Sequence, residues 1–207
     1  MQSDRSTPDE RHTAQARRDW LRWTGGALAV PALVGTAAAT PPGPASPRFS
    51  NLPVVTHEGR TARFYDDLVR GKTVVFNMMY TVCTGICPIS TANLLQVQRA
   101  LGPRLGRNVF MYSMTLQPQF DDARALRDYM QRYGIQPGWT YLTGKPGDMD
   151  LLRRELGFVD SDPVADGDLR THTGMVRAGN DALNRWLMVP AFSSADRIVG
   201  AVQRLVV

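Results

Sequence analysis

The stretch that most constrains this chain is Lys72–Tyr80 (KTVVFNMMY), a nearly continuous apolar, β-branched and aromatic run of strand length. Such a run has no polar face to turn to water, so the strand must be covered on both sides, as in the centre of a layered α/β sheet. The chain's two cysteines follow at once, in Cys83-Thr84-Gly85-Ile86-Cys87-Pro88. Pro88–Leu101 then spaces Leu94, Leu95, Val97 and Leu101 among polar residues, a helical pattern stopped by Gly102-Pro103.

Around this unit the pattern alternates. Leu52–Val55 and Thr61–Phe64 flank the turn His57-Glu58-Gly59 and predict a short hairpin. Asn108–Thr115 predicts a second central strand, and Asp121–Gly134 a helix with acids in its first turn and Gly at its end. Trp139–Leu142 predicts a third strand, and Asp148–Leu156 a helix closed by Gly157. Thr173–Arg177 and Arg185–Val189 predict a closing hairpin around Gly179-Asn180-Asp181, and Ser193 or Ser194 caps a last helix, Ala195–Leu205. Strands alternating with helices give the α/β class with a parallel centre, and the hairpins add antiparallel strands. The order is that of a thioredoxin-like fold: a central mixed β-sheet flanked by helices, with an N-terminal β-hairpin.

The first 39 residues form an expected export signal. Arg17-Arg18-Asp19-Trp20-Leu21-Arg22 precedes a Gly- and Ala-rich apolar segment from Thr24 to Val34 and the small-residue site Ala37-Ala38-Ala39. The paired arginines resemble a twin-arginine signal, which makes the protein periplasmic in a Gram-negative source. A cytosolic amphipathic tail is the competing reading. An uncleaved membrane anchor is disfavoured by Gly25, Gly26, Pro31 and Gly35, since the run falls short of the roughly 20 strongly apolar residues of a spanning helix. Residues 40–50 form a linker that its four prolines keep from becoming helical, and residues 51–207 form one domain.

Composition excludes several classes. With 43% apolar and 21% charged residues, the chain is neither disordered nor a polytopic membrane protein. The net charge of +5 is spread along the chain without a basic stripe or docking motif, so no nucleic-acid partner is expected.

Cys83 and Cys87 stand at i and i+4, so a helix beginning within their loop brings both sulfurs to one side. A helix N-terminus favours thiolate, the form that binds soft metals and attacks disulfides. A stabilising disulfide is the plainer alternative, but closing so short a loop removes little unfolded-chain entropy. The spacing alone leaves a metal site and a redox dithiol both open. His172, in Thr171-His172-Thr173 before a predicted strand, is a third candidate at the strand end where open α/β sheets gather binding residues. A lone His is more often a solvated or hydrogen-bonded residue than a ligand. Were it to join the two thiolates, the set would suit Cu(I), or Cu(II) with an added oxygen donor. Met78, Met79, Met111, Met114, Met175 and Met188 are expected core fillers. Tyr80, Tyr112 and Tyr141 are expected packing residues, and His57 and His12 are expected to be solvated. Asp168 is a carboxylate close in sequence to His172.

Val74–Pro88 (VVFNMMYTVCTGICP) resembles the strand and Cys-x-x-x-Cys-Pro motif of the Sco/SenC family, copper-handling proteins of cytochrome c oxidase assembly. Met111–Asp122 resembles the family's strand and turn, Thr140–Gly144 its Leu-Thr-Gly strand, and Thr171-His172-Thr173 its His-bearing ligand segment. The likeness runs from about Asn51 to the C-terminus. It implies a copper site of Cys83, Cys87 and His172. Two departures stand out: Thr84 where the family commonly has Pro, and Thr171 where it has an acid.

The resemblance implies a copper metallochaperone or assembly factor. Its partner is the copper-bearing subunit of cytochrome c oxidase or another exported cuproprotein, and it meets the membrane only through that partner or an uncleaved signal. The alternative is a periplasmic thiol-disulfide oxidoreductase acting on the cysteines of such a target, with Cys83 and Cys87 as its redox pair and a periplasmic thiol reductase as a further partner. A peroxiredoxin lacks support, because no Pro-rich peroxidatic loop precedes Cys83. A c-type haem protein is excluded by the absence of Cys-x-x-Cys-His.

Overall fold

The structure is a computed structural model and describes residues 48–169 and 174–206. The expected leader, most of the linker, His12 and residues 170–173, which include His172, lie outside the described residues.

Seven strands form one sheet in the order β2-β1-β5-β4-β3-β6-β7. They are β1 (Pro53–Thr56), β2 (Thr61–Arg63), β3 (Thr73–Met79), β4 (Val109–Thr115), β5 (Trp139–Thr143), β6 (Met175–Asn180) and β7 (Arg185–Pro190). β3, β4 and β5 are parallel, while β1 pairs antiparallel with β2 and β5, and β6 with β3 and β7. The sheet is therefore mixed with a parallel centre, and β3 is buried at all seven positions.

Side-chain alternation in β3 divides the core into two layers. Val75 and Met79 point to one face, where they meet Leu94, Val97 and Leu101 of α1 (Ile86–Leu101), Leu126 and Tyr129 of α2 (Ala123–Tyr133), and Ile198 and Val202 of α5 (Ala195–Gln203). Val74, Phe76 and Met78 point to the other face, against Met149 and Leu152 of α3 (Pro146–Glu155) and the helical turn Phe64–Val69. On the first face a buried polar chain crosses the sheet: Trp139 Nε1 donates to Ser113 Oγ at 2.9 Å, and Ser113 donates to Asn77 Oδ1 at 2.7 Å. Such pairing removes the cost of burying Asn77 in the central strand.

The differences from the expected boundaries have local causes. α1 starts at Ile86, two residues before Pro88, so Cys87 lies inside its first turn. Asp121 is not the first residue of α2: Asp122 is the N-cap, accepting from Ala125 N–H at 2.8 Å, and Asp121 turns into the interior. β6 runs through Gly179 and Asn180, which the sequence pattern places in the turn. Gly179 faces Trp186 across the ladder, and a Cβ there would lie 2.0 Å from the indole ring. Ser194 is the cap of α5, which ends at Gln203. The short α4 (Pro163–Gly167) is too brief for a periodic signal; Asp162 caps it and Pro163 starts it. Among the described residues, no helix is long and apolar enough to cross a membrane.

Candidate metal centre

Cys83 and Cys87 sit at the C-terminal end of β3. The backbone leaves the strand through a tight turn in which Cys83 N–H returns to Tyr80 C=O at 3.2 Å, and Gly85 then occupies the N-cap position before α1. Glycine has no side chain to cap the helix, so the first N–H groups of α1 stay open to another acceptor. The sulfur of Cys83 fills that role, accepting from the N–H groups of Gly85 and Cys87.

Both cysteines are reduced and buried, with 8% of Cys83 and 2% of Cys87 exposed. Their environments push them apart. Burial opposes ionisation of Cys83, but the thiol of Cys87, the two backbone N–H groups and the hydroxyl of Tyr80 outweigh it and hold its pKa below the ordinary thiol value. Burial pushes Cys87 far up, and its proton is further held by Cys83. The hydrogen bond between them therefore favours ionisation at Cys83 and keeps the proton on Cys87.

Tyr80 was expected only to pack. Its hydroxyl is instead a donor to Cys83, and burial, that hydrogen bond and the nearby charges of the cysteines and Asp168 push its pKa up to about 12. Asp168 therefore lies within electrostatic reach of the site through Tyr80. Tyr112 and Tyr141 do pack, Tyr112 with its hydroxyl on Leu68 C=O at 3.1 Å. Met78, Met79, Met111 and Met114 are core residues, and Met175 and Met188 are half-buried against the α3-side layer. His57 is not free in solvent: it is half-buried, and its Nδ1 accepts from Tyr141 N–H at 3.3 Å.

Two cysteines converge here as the spacing implied. Among the described residues no group of three or more His, Cys, Asp and Glu is arranged to hold a metal ion. The two soft sulfurs, adjacent and reduced, fit a soft cation such as Cu(I). A separate cleft of about 400 Å³ opens on the α3 side of the sheet, lined by Met78, Leu116, Arg153, Arg154 and Asp166 and without either cysteine.

The sequence model of the SCO1/SenC family matches residues 47–206. The chain belongs to the SCO1/SenC family. A search of curated proteins returned no match. Among solved structures, the SCO1/SenC domain is similar to Bradyrhizobium japonicum ScoI with copper bound, at 19% identity and TM-score 0.60, covering 76% of this chain and 99% of that one. It is equally similar to a SCO1/SenC family lipoprotein from Bacillus anthracis, at 19% identity and TM-score 0.61, covering 76% and 94%. A third structure is BsSco, a member of the Sco family of cytochrome c oxidase assembly proteins in which a disulfide switch is identified, at 18% identity and TM-score 0.60, covering 76% and 93%. At these identities the likeness establishes the thioredoxin-like SCO1/SenC fold.

Proposed function

We propose that this protein is a copper-binding metallochaperone or assembly factor for cytochrome c oxidase or a similar exported cuproprotein, and that Cys83, Cys87 and His172 ligate the copper it carries. The observation that supports this most is the sulfur pair itself: two reduced cysteines joined S–H···S over the open N-terminus of α1, in a SCO1/SenC domain. Bradyrhizobium japonicum ScoI holds copper on the same fold. Copper is the cargo, and two thiolates suit its Cu(I) state. Cys83 offers the sulfur of the pair that ionises more readily. Cys87 gives up its proton when it becomes a ligand, so loading releases protons and strengthens with pH. Export through the first 39 residues and delivery to a copper-bearing oxidase subunit belong to this reading, and the lipoprotein relative from Bacillus anthracis supports a place outside the cytoplasm.

A thiol-disulfide oxidoreductase is the second reading, favoured by the same asymmetry and by the disulfide switch of BsSco. The Cys83 thiolate attacks a target disulfide and releases one target thiolate. Cys87 then loses its proton and displaces the other, leaving a Cys83–Cys87 disulfide and a reduced target. A thiol reductase would restore the pair.

Cu(I) titration of the reduced protein against a chromophoric chelator, wild type beside His172→Ala, separates the two readings. The substitution should weaken copper binding about tenfold or more while leaving disulfide exchange intact, and oxidation of the pair should abolish Cu(I) binding. Unchanged copper affinity and spectra in folded His172→Ala would remove the copper reading and leave the oxidoreductase.

A further inference from the structure

Asp121 is completely buried, at the end of the loop between β4 and α2. A carboxylate in such a place costs stability unless donors converge on it. Three do. Thr81 N–H reaches Oδ2 at 3.1 Å, Thr81 Oγ1 donates to Oδ1, and Thr115 Oγ1, at the end of β4, donates to Oδ2. The loop is itself closed by Phe120 N–H and Asp121 N–H on Gln117 C=O, both at 2.9 Å, and Gln117 N–H returns to Thr115 Oγ1 at 2.9 Å.

Two of those three donors belong to Thr81. Thr81 is the first central residue of the turn that Cys83 N–H closes on Tyr80 C=O, so it stands between the sheet and the first cysteine. Nothing in the packing of the two core layers needs an acid here, since Asp121 supports neither layer with apolar surface. Two of its three hydrogen bonds go to the turn that carries Cys83, and the third goes to the end of β4. We propose that Asp121 is a positioning residue for the dithiol: its buried carboxylate pins the Tyr80–Cys83 turn to the end of β4 and thereby sets how the Cys83 and Cys87 sulfurs meet. The inference rests on reading the two cysteines as the working pair, and it holds for either cargo of that pair, copper or a disulfide. Both need two sulfurs held together, so loosening the turn weakens both in the same direction.

The test uses Thr81→Val, which keeps the β-branched shape and the backbone N–H but removes the hydroxyl donor, and Thr81→Ser, which keeps the hydroxyl. These substitutions sit at the rim of the interaction and avoid the folding risk of Asp121→Asn, whose amide would turn a donor toward donors. The primary readout is the equilibrium with glutathione, in which the dithiol and oxidised glutathione give the Cys83–Cys87 disulfide and two reduced glutathiones. Disulfide formation should become about tenfold less favourable in Thr81→Val, as for loss of a charge-assisted hydrogen bond, and stay within about twofold of wild type in Thr81→Ser. Folded Thr81→Val with a wild-type glutathione equilibrium overturns the inference, because a support for the fold alone would leave it unchanged. Cu(I) competition on the same variants separates this from the copper reading. A shifted glutathione equilibrium in Thr81→Val, with wild-type protein that does not bind Cu(I), supports the positioning role and rejects the cargo.

Discussion

The thiol of Cys87 donates its hydrogen to the sulfur of Cys83, and the two cysteines are thereby unequal before any metal or partner arrives. Burial acts against ionisation of both. For Cys83 the Cys87 thiol, the N–H groups of Gly85 and Cys87 and the Tyr80 hydroxyl outweigh it, whereas for Cys87 the backbone groups of Tyr80 and Cys87 offset it only in part.

Alkylation should report this inequality. In reduced, metal-free protein, iodoacetamide should modify Cys83 first, and the rate should rise with pH through a midpoint below the ordinary thiol value of 9.0. Mass spectrometry of the early adduct assigns the site. First labelling at Cys87, or a midpoint at or above that of a free thiol, would contradict the assignment.

His57 ties β1 to β5, because its Nδ1 accepts from Tyr141 N–H and its backbone N–H donates to Tyr141 C=O at 2.8 Å. The imidazole must be neutral at Nδ1 to accept. Burial lowers its pKa from the usual 6.5; Glu58 and the Tyr141 backbone act against the shift, and Arg127 and Arg60 reinforce it. A folded-state value below the unfolded one means that the unfolded chain takes up the proton first as the pH falls. The contribution is therefore complete above about pH 7 and is lost as the pH drops below 6.5 toward the lowered value. Urea midpoints of wild type and His57→Ala, measured from pH 8 to 5, should show a constant gap at the alkaline end that narrows on acidification. A gap independent of pH would show that the imidazole does not titrate as described.

Arg153 joins α3 to the segment that leads toward His172. Its guanidinium pairs with both oxygens of Asp166 at 2.7 and 2.9 Å, with Asp150 at 2.8 Å, and donates to Phe158 C=O at 2.5 Å. The side chains of Arg153 and Asp166 are only 12% and 9% exposed and border the cleft on the α3 side, so removing one leaves the other without its bidentate partner. Arg154, 3.2 Å from Asp166, retains part of the attraction. Arg153→Met keeps the apolar stem and should cost about 2–3 kcal/mol in urea unfolding. A loss within the ~0.5 kcal/mol typical of a neutral surface change would mean that the pairing adds nothing net.

The elements of the fold were legible in the sequence because each carries a period or a stop that acts over a few residues. Lys72–Tyr80 has no polar face and became the central strand, buried at every position. Gly102-Pro103 ended α1, and Ser194 capped α5. The cysteine pair was legible because their spacing is short, although only Cys87 lies in α1 and Cys83 is brought to it by the Tyr80–Cys83 turn that precedes the helix.

What the tertiary structure alone decided depends on residues distant in the chain. Asp121 looks like a first-turn helix acid until Thr81, 40 residues earlier, is seen to supply its donors. His57 looks like a turn residue until β5 pairs beside it, 84 residues on. Tyr80 has the pattern of a packing aromatic, and only the turn back to Cys83 gives its hydroxyl a sulfur to bind. Local patterns specify which surfaces of a segment must be covered. They do not specify which polar group from another segment will arrive, and that group determines whether a buried acid, imidazole or phenol serves the fold or the thiolate beside it.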